Sequence, residues 1–310
     1  MRVKDCIGID KVIACARFLP EVHARVCFKH PALLLVMHGR LVFRFLLLLV
    51  MTIFAFAFLL YVSLKTQSHL ALSPKIVEVY KSQVERRQEM MKQVALKDLP
   101  PFHSHANLYN TLVPEVFCAG LVRVGYVADG GKWVCNPQMV PKPCVIYSLG
   151  INNEISFEAE IYEQTKCSLF GFDKDEMSSA TIAAYKKMNA SIIPALISSE
   201  TDESVARYSF SDLLKKYNHS MIDIIKIDIE GGEYDVLDQI IQVPICQILI
   251  EVHGWANDIS NLLTTLSKVG YYLFHHEINS VYIEACEYSL IHEKCMKNYG
   301  VDVVLGRYLS

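Results

Sequence analysis

Hydrophobic and polar positions divide the chain into stretches of different character. Residues 45–64 read FLLLLVMTIFAFAFLLYVSL without a charge. At 1.5 Å rise per residue such a run spans the roughly 30 Å hydrocarbon core of a bilayer, which predicts a transmembrane helix. A cleavable signal would carry a shorter apolar run near the start and a small-residue cleavage site. Here more than forty residues come first, and Tyr61-Val62-Ser63-Leu64-Lys65 is a poor cleavage context. Beyond it, Ile76, Tyr80, Val84, Met91, Val94 and Ala95 recur at near-helical intervals among Lys, Glu, Arg and Gln. This predicts an amphipathic stem helix over 75–97, ended by Pro100-Pro101. The stem is expected either to pack on the following domain or to support self-association.

From residue 145 onward, short apolar runs alternate with helical patterns, which argues a doubly wound α/β sheet. Strands are expected at 145–149, 169–172, 192–197, 222–227, 245–252, 271–275 and 281–285, with helices between the first five. Residues 258–268 start polar, keep a helical period and run into Gly270, as a helix feeding a strand does. The last two strands lie too close together for a crossover helix and are expected as an antiparallel hairpin at the sheet edge. The resulting division is a tail over 1–44, an anchor over 45–64, a stem and linker over 65–101, and a catalytic domain over 102–310. The tail carries Cys6, Cys15 and Cys27 with no clear period.

Charge and cysteines refine this picture. A net charge of −3 over 310 residues, with no basic stripe, argues against a nucleic-acid partner. Lys29, Arg40 and Arg44 before the apolar run are balanced by Lys65, Lys75 and Lys81 after it, so the positive-inside rule does not decide orientation. Seven of the ten cysteines follow the run (Cys118, Cys135, Cys144, Cys167, Cys246, Cys286 and Cys295). Asn189-Ala190-Ser191 and Asn218-His219-Ser220 are glycosylation acceptors by pattern. Together these favour a single-pass type II protein of the secretory pathway, in the Golgi or endoplasmic reticulum, with a lumenal C-terminal domain. Seven cysteines cannot all pair within the chain. Cys118 with Cys135 is the preferred bridge, because both lie in the irregular lead-in before the first core strand.

In an open α/β sheet, ligands sit outside the carboxyl ends of the strands. The first strand ends in Ser148-Leu149-Gly150-Ile151-Asn152-Asn153, where Gly150 permits a tight turn before a helix expected to start near Asn153. The second ends in Asp173, about twenty residues on, where a carboxylate can accept both hydrogen bonds of a ribose diol. Alternatively Asp173 caps a helix beginning near Glu176. The segment Asp223-Ile224-Ile225-Lys226-Ile227-Asp228-Ile229-Glu230-Gly231-Gly232-Glu233 is a buried strand opening into an acidic glycine loop. Carboxylates concentrated there are costly unless water, a cation or a substrate satisfies them. Asp228, Glu251 and His253 could supply a base or hold a metal, and no metal is assigned.

KIDIEGGEYDVL resembles the "KIDVEGAE" signature of FkbM-type methyltransferases, and residues from about 118 to 293 resemble the methyltransferase-like protein 24 type of domain. Supporting residues are Asp129-Gly130-Gly131-Lys132-Trp133-Val134-Cys135, Tyr147-Ser148-Leu149-Gly150, Phe170-Gly171-Phe172-Asp173 and Ile250-Glu251-Val252-His253. The resemblance implies a Rossmann-like class I methyltransferase fold with a mostly parallel seven-stranded sheet and S-adenosylmethionine as cofactor. It implies that Gly150 borders the methionine part of the cofactor, that Asp173 holds its ribose and that Asp228 and Glu230 line the reaction chamber. Ser148 and Asn152 at the same turn are further cofactor-binding candidates, and His253, by its place at a strand end, completes the candidate catalytic set facing an unidentified methyl acceptor. The loop Gly150-Ile151-Asn152-Asn153-Glu154 departs from the family pattern in lacking the two later glycines of a full G-x-G-x-G.

Two other readings compete. Asp173-Lys174-Asp175 is a D-x-D after an apolar strand, as in type II Golgi glycosyltransferases that hold a nucleotide-sugar through manganese. A non-catalytic lumenal binding module with a degenerate pocket is the other.

Overall fold

A computed structural model describes residues 31–68, 72–94, 100–127 and 130–310. Most of the expected tail, with Cys6, Cys15 and Cys27, lies outside the described residues, as does Asp129. Two compact units are present, residues 1–71 and 72–310. The first contains helix α1 (Pro31–Ser68). Its segment Val42–Val62 is long and apolar enough to cross a membrane, with mean hydropathy 2.8 and none of it buried.

In the second unit, α2 (Pro74–Ser82) and α3 (Val84–Val94) occupy the expected stem. The single helix expected there is broken at Gln83. Met91 and Val94 join the domain's main core, while Ile76 and Val79 stay exposed. The proline pair does not simply end a helix: Pro101 opens α4 (Pro101–Thr111). A proline suits that first turn because the amide it lacks would have no intrahelical partner.

The central sheet has seven strands: β1 (Val145–Leu149), β2 (Ser168–Asp173), β3 (Ser191–Pro194), β4 (Ile222–Ile227), β5 (Ile245–His253), β6 (Tyr271–Ile278) and β7 (Ala285–His292). Their spatial order is β6-β7-β5-β4-β1-β2-β3. The first five are parallel, and β7 runs antiparallel to both β5 and β6. Every residue of β4 is buried, as befits a strand covered on both faces. On one face, Ile146, Ile224 and Leu249 pack with Phe157 and Ile161 of α5 (Ser156–Thr165) and Tyr185 of α6 (Ser179–Lys187). On the other, Ile225, Ile227 and Ile248 pack with α7 (Phe210–Tyr217), α8 (Glu233–Ile240) and α9 (Ala256–Lys268).

Two expected strands differ. The 192–197 run splits: Pro194 ends β3, the Ala195 amide donates to the Asp173 carbonyl (2.6 Å), and Leu196–Ser198 pairs separately with Arg207–Ser209. The strand expected at 281–285 is instead loop. Val281 and Tyr282 are largely exposed, β7 begins only at Ala285, and it lies inside the sheet while β6 forms the edge.

Ahead of the sheet, Leu121–Val124 and Lys132–Cys135 form an antiparallel hairpin. The expected Cys118–Cys135 bridge ties it down, and Gln247 of β5 exchanges two hydrogen bonds with the Cys135 backbone (2.9 and 2.7 Å). Cys144–Cys167 and Cys246–Cys295 also pair, leaving Cys286 buried as a free thiol. Asn189 and Asn218 are exposed left-handed residues at the ends of α6 and α7. Asparagine is favoured at such sites on conformational grounds alone, so the sequons carry no separate signal.

Candidate active site

A cavity of about 770 Å³ opens at the carboxyl ends of β1, β2, β4 and β5. Six expected site residues line it: Gly150, Asn152, Asp173, Asp228, Glu230 and His253. Ser148 does not. Its side chain is fully buried beneath the loop and donates to Glu158 Oε1 at 2.5 Å.

The β1 turn is set by Gly150, at φ +78°, where a Cβ would lie 1.7 Å from the Asp228 carbonyl oxygen. Lys226, 2% exposed, donates to the Gly150 carbonyl (2.9 Å) and lies 3.4 Å from Glu158. Helix α5 starts at Ser156 rather than near Asn153, because Asn152 and Asn153 are both left-handed and Glu154 accepts the Ser156 amide. Of the two missing glycine positions, 152 carries an asparagine, a residue type that tolerates this left-handed backbone, and 154 carries the glutamate that accepts the Ser156 amide.

Asp173 neither caps a helix nor presents a free carboxylate. Ser178 caps α6. Asp173 Oδ2 accepts from the amides of Ile151 (2.6 Å) and Asn152 (2.7 Å), and Oδ1 from that of Asp175 (2.8 Å). A carboxylate has about four lone-pair sites, so roughly one remains for a ribose hydroxyl instead of the two expected. The same bonds leave Asp173-Lys174-Asp175 poorly suited to bridge a metal and a diphosphate.

At the opposite end, one ligand atom from each of Asp228, Glu251 and His253 lies within 4.8 Å of the others. Sequence reasoning missed what stands behind them. Lys132, on the hairpin, is 1% exposed. Its ammonium touches Glu287 of β7 and lies 3.3 Å from Asp228 and 3.7 Å from Glu251. Burial would lower the Lys132 pKa, but Glu287, Asp228 and Glu251 reverse this and hold it protonated. Burial would likewise raise Asp228, but Lys132 and Lys226 keep its carboxyl below the usual range. Burial and the neighbouring Asp228 raise Glu251, and burial raises Glu287 against the opposing pull of the Lys132 ammonium it touches.

His253 Nδ1 lies 3.5 Å from the buried Glu233 carboxylate, which itself accepts the amides of Ile229 and Gly231. This contact, working against burial, lifts His253 to about 9. The raised pKa favours the protonated imidazole, which weighs against His253 as the base. Glu251, a carboxylate of raised basicity, is the better acceptor.

This sheet order with an antiparallel last strand, and a glycine turn meeting an acidic strand end at the cavity, defines an S-adenosylmethionine-dependent methyltransferase. A family model described as a methyltransferase domain matches residues 75–292, and the chain belongs to that family. No curated protein matches it. Among solved structures, the N-terminal domain of EvdMO1 with SAH bound is 14% identical, covering 50% of this chain and 76% of that one at a TM-score of 0.35. TrmK of M. capricolum, in complex with S-adenosyl-homocysteine, is 9% identical, covering 51% and 66% at 0.33. A human methyltransferase 10 domain containing protein is 9% identical, covering 49% and 72% at 0.35. Likeness at this level is weak, and the assignment stands on the family match and the sheet order.

Proposed function

We propose that the chain is a membrane-anchored methyltransferase that transfers the methyl group of S-adenosylmethionine to an oxygen of its acceptor, with the catalytic domain on the lumenal side. The carrying observation is the single cavity that joins the Gly150 turn and Asp173 to the Asp228, Glu251 and His253 cluster. Its volume suits a small-molecule site. Phe172, Ala195, Leu196 and Ile197 offer an apolar wall at one end, fitting an adenine ring, and carboxylates crowd the other, fitting a sulfonium.

When bound, S-adenosylmethionine supplies an electrophilic methyl group. Gly150 and Asp173 keep the β1 and β2 loops where the cofactor approaches. Glu251 accepts the acceptor's hydroxyl proton, and protonated His253 donates a hydrogen bond that orients the oxygen. Positioning dominates such in-line transfers. The membrane reading rests on the long apolar helix segment Val42–Val62 before the domain, and the lumenal reading on three disulfides, which oxidising compartments favour.

Calorimetry on the full chain in detergent, with S-adenosylhomocysteine and with UDP-sugars plus manganese in parallel, tests the activity class. Binding of S-adenosylhomocysteine alone is expected. Manganese-dependent UDP-sugar binding would favour the glycosyltransferase reading, and no ligand binding would favour a non-catalytic module. In sealed microsomes the C-terminal domain should resist protease until detergent is added, and earlier cleavage would reverse the orientation.

A further inference from the structure

We propose that Lys132 is the resident cation of the chamber, a positioning residue whose ammonium takes the place of a divalent metal and holds Asp228 and Glu251 in their working arrangement. The inference rests on the methyltransferase reading and adds to it. Asp228, Glu251 and His253 would otherwise make a plausible ligand set, since each offers an atom within 4.8 Å of the other two.

The carboxylates, however, already have a counter-ion. Asp228 immediately follows β4, Glu251 lies on β5 and Glu287 on β7, and one ammonium reaches all three. That ammonium is 1% exposed and comes from outside the sheet. A metal bound to Asp228 Oδ2 at a magnesium–oxygen length of about 2.1 Å would lie no farther than about 5.4 Å from the Lys132 nitrogen. It would meet the field of a buried positive charge that water screens poorly. Lysine holds its carboxylates as a compact point charge with three donors, and Asp228 and Glu251 still line the cavity. Three strand ends are thereby fixed without an exchangeable ion, and the sheet's carboxyl edge depends on a hairpin the sheet does not contain.

Removing the ammonium should create the metal site it replaces. The experiment uses the full chain in detergent and Mn²⁺ as probe, followed by its paramagnetic resonance. Wild type, Asp228→Asn, Lys132→Ala and Lys132→Ala/Glu287→Gln are compared, the double variant lowering the charge left unpaired so that it folds. A cooperative thermal melt reports folding of each. The wild type should show no Asp228-dependent Mn²⁺ binding at millimolar metal. The double variant should bind Mn²⁺ roughly tenfold tighter or better, and lose this when Asp228→Asn is added. An Asp228-dependent Mn²⁺ site in the wild type would overturn the proposal. So would a double variant that melts cooperatively yet gains no manganese. If the wild type binds no S-adenosylhomocysteine, the methyltransferase reading fails separately, while the manganese comparison still judges the role of Lys132.

Discussion

Replacing Asp173 with alanine removes a support rather than a single ligand contact. Its carboxylate accepts the amides of Ile151, Asn152 and Asp175 at 2.6, 2.7 and 2.8 Å, and the side chain is 5% exposed. Hydrogen bonds to a charged group contribute about 1.5–3 kcal/mol each. Two of the three share one oxygen and are not additive, so about 4 kcal/mol is a reasonable total. For a domain of this size 1 kcal/mol shifts the melting temperature by about 2–4 °C, so Asp173→Ala should lower it by roughly 8–16 °C. Asp173→Asn keeps one acceptor oxygen for Ile151 and Asn152 but turns an NH₂ toward the Asp175 amide, or the reverse, and should fall about halfway. Thermal melts in detergent, with and without S-adenosylhomocysteine, read both stability and binding. A fully stable Asp173→Ala that has merely lost affinity would show that the carboxylate serves the ligand and that the backbone contacts are incidental.

Other consequences follow from the same geometry. Gly150→Ala should abolish cofactor binding and destabilise the domain, because its Cβ would lie 1.7 Å from the Asp228 carbonyl and the backbone is at φ +78°. Binding calorimetry and a melt check it, and near wild-type affinity would refute the turn. His253 has its pKa raised to about 9, above the unfolded value of about 6.5, so its contribution to stability is full below about pH 6.5 and is lost as pH rises to about 9. The stability gap between wild type and His253→Gln should shrink across that window, and a gap that widens would contradict the Glu233 contact. Non-reducing alkylation should leave six of the seven cysteines after the apolar helix protected as bridges, and should label Cys286 only after denaturation, because it is buried and its thiol is pushed up by that burial. Mass spectrometry distinguishes this from a free-thiol domain.

The parallel core was legible in the sequence because burial on both faces leaves no ambiguity. The run 222–227 is the whole of β4. Apolar character misled at 281–285, where Val281 and Tyr282 stand exposed in the β6–β7 loop beside the cavity. Apolar content there signals a rim, not a strand. Strand-end logic pointed to Gly150, Asp173 and Asp228, which line one cavity, since each immediately follows or ends a recognisable strand. Ser148 was misplaced because the pleat points it away from the ligand edge, toward Glu158. Lys132 and Glu287 are 155 positions apart, and no local period links them. Their one signal was a charge in a segment otherwise reading as buried, visible in Lys132-Trp133-Val134-Cys135 and Cys286-Glu287-Tyr288-Ser289-Leu290.

The hairpin's attachment also makes the chamber sensitive to where the chain is made. Lys132 begins the strand that ends at Cys135, and Cys135 is bonded to Cys118, 17 positions earlier. Closing a loop of that length restrains the unfolded chain by about 3 kcal/mol. In a reducing cytosol that restraint is absent, and the ammonium then relies on the Gln247 contacts and on packing to reach three carboxylates that repel one another without it. Protein produced in such a host should therefore melt lower than the oxidised form and hold its hairpin less firmly against the carboxyl edge, which a melt of reduced against oxidised protein reads.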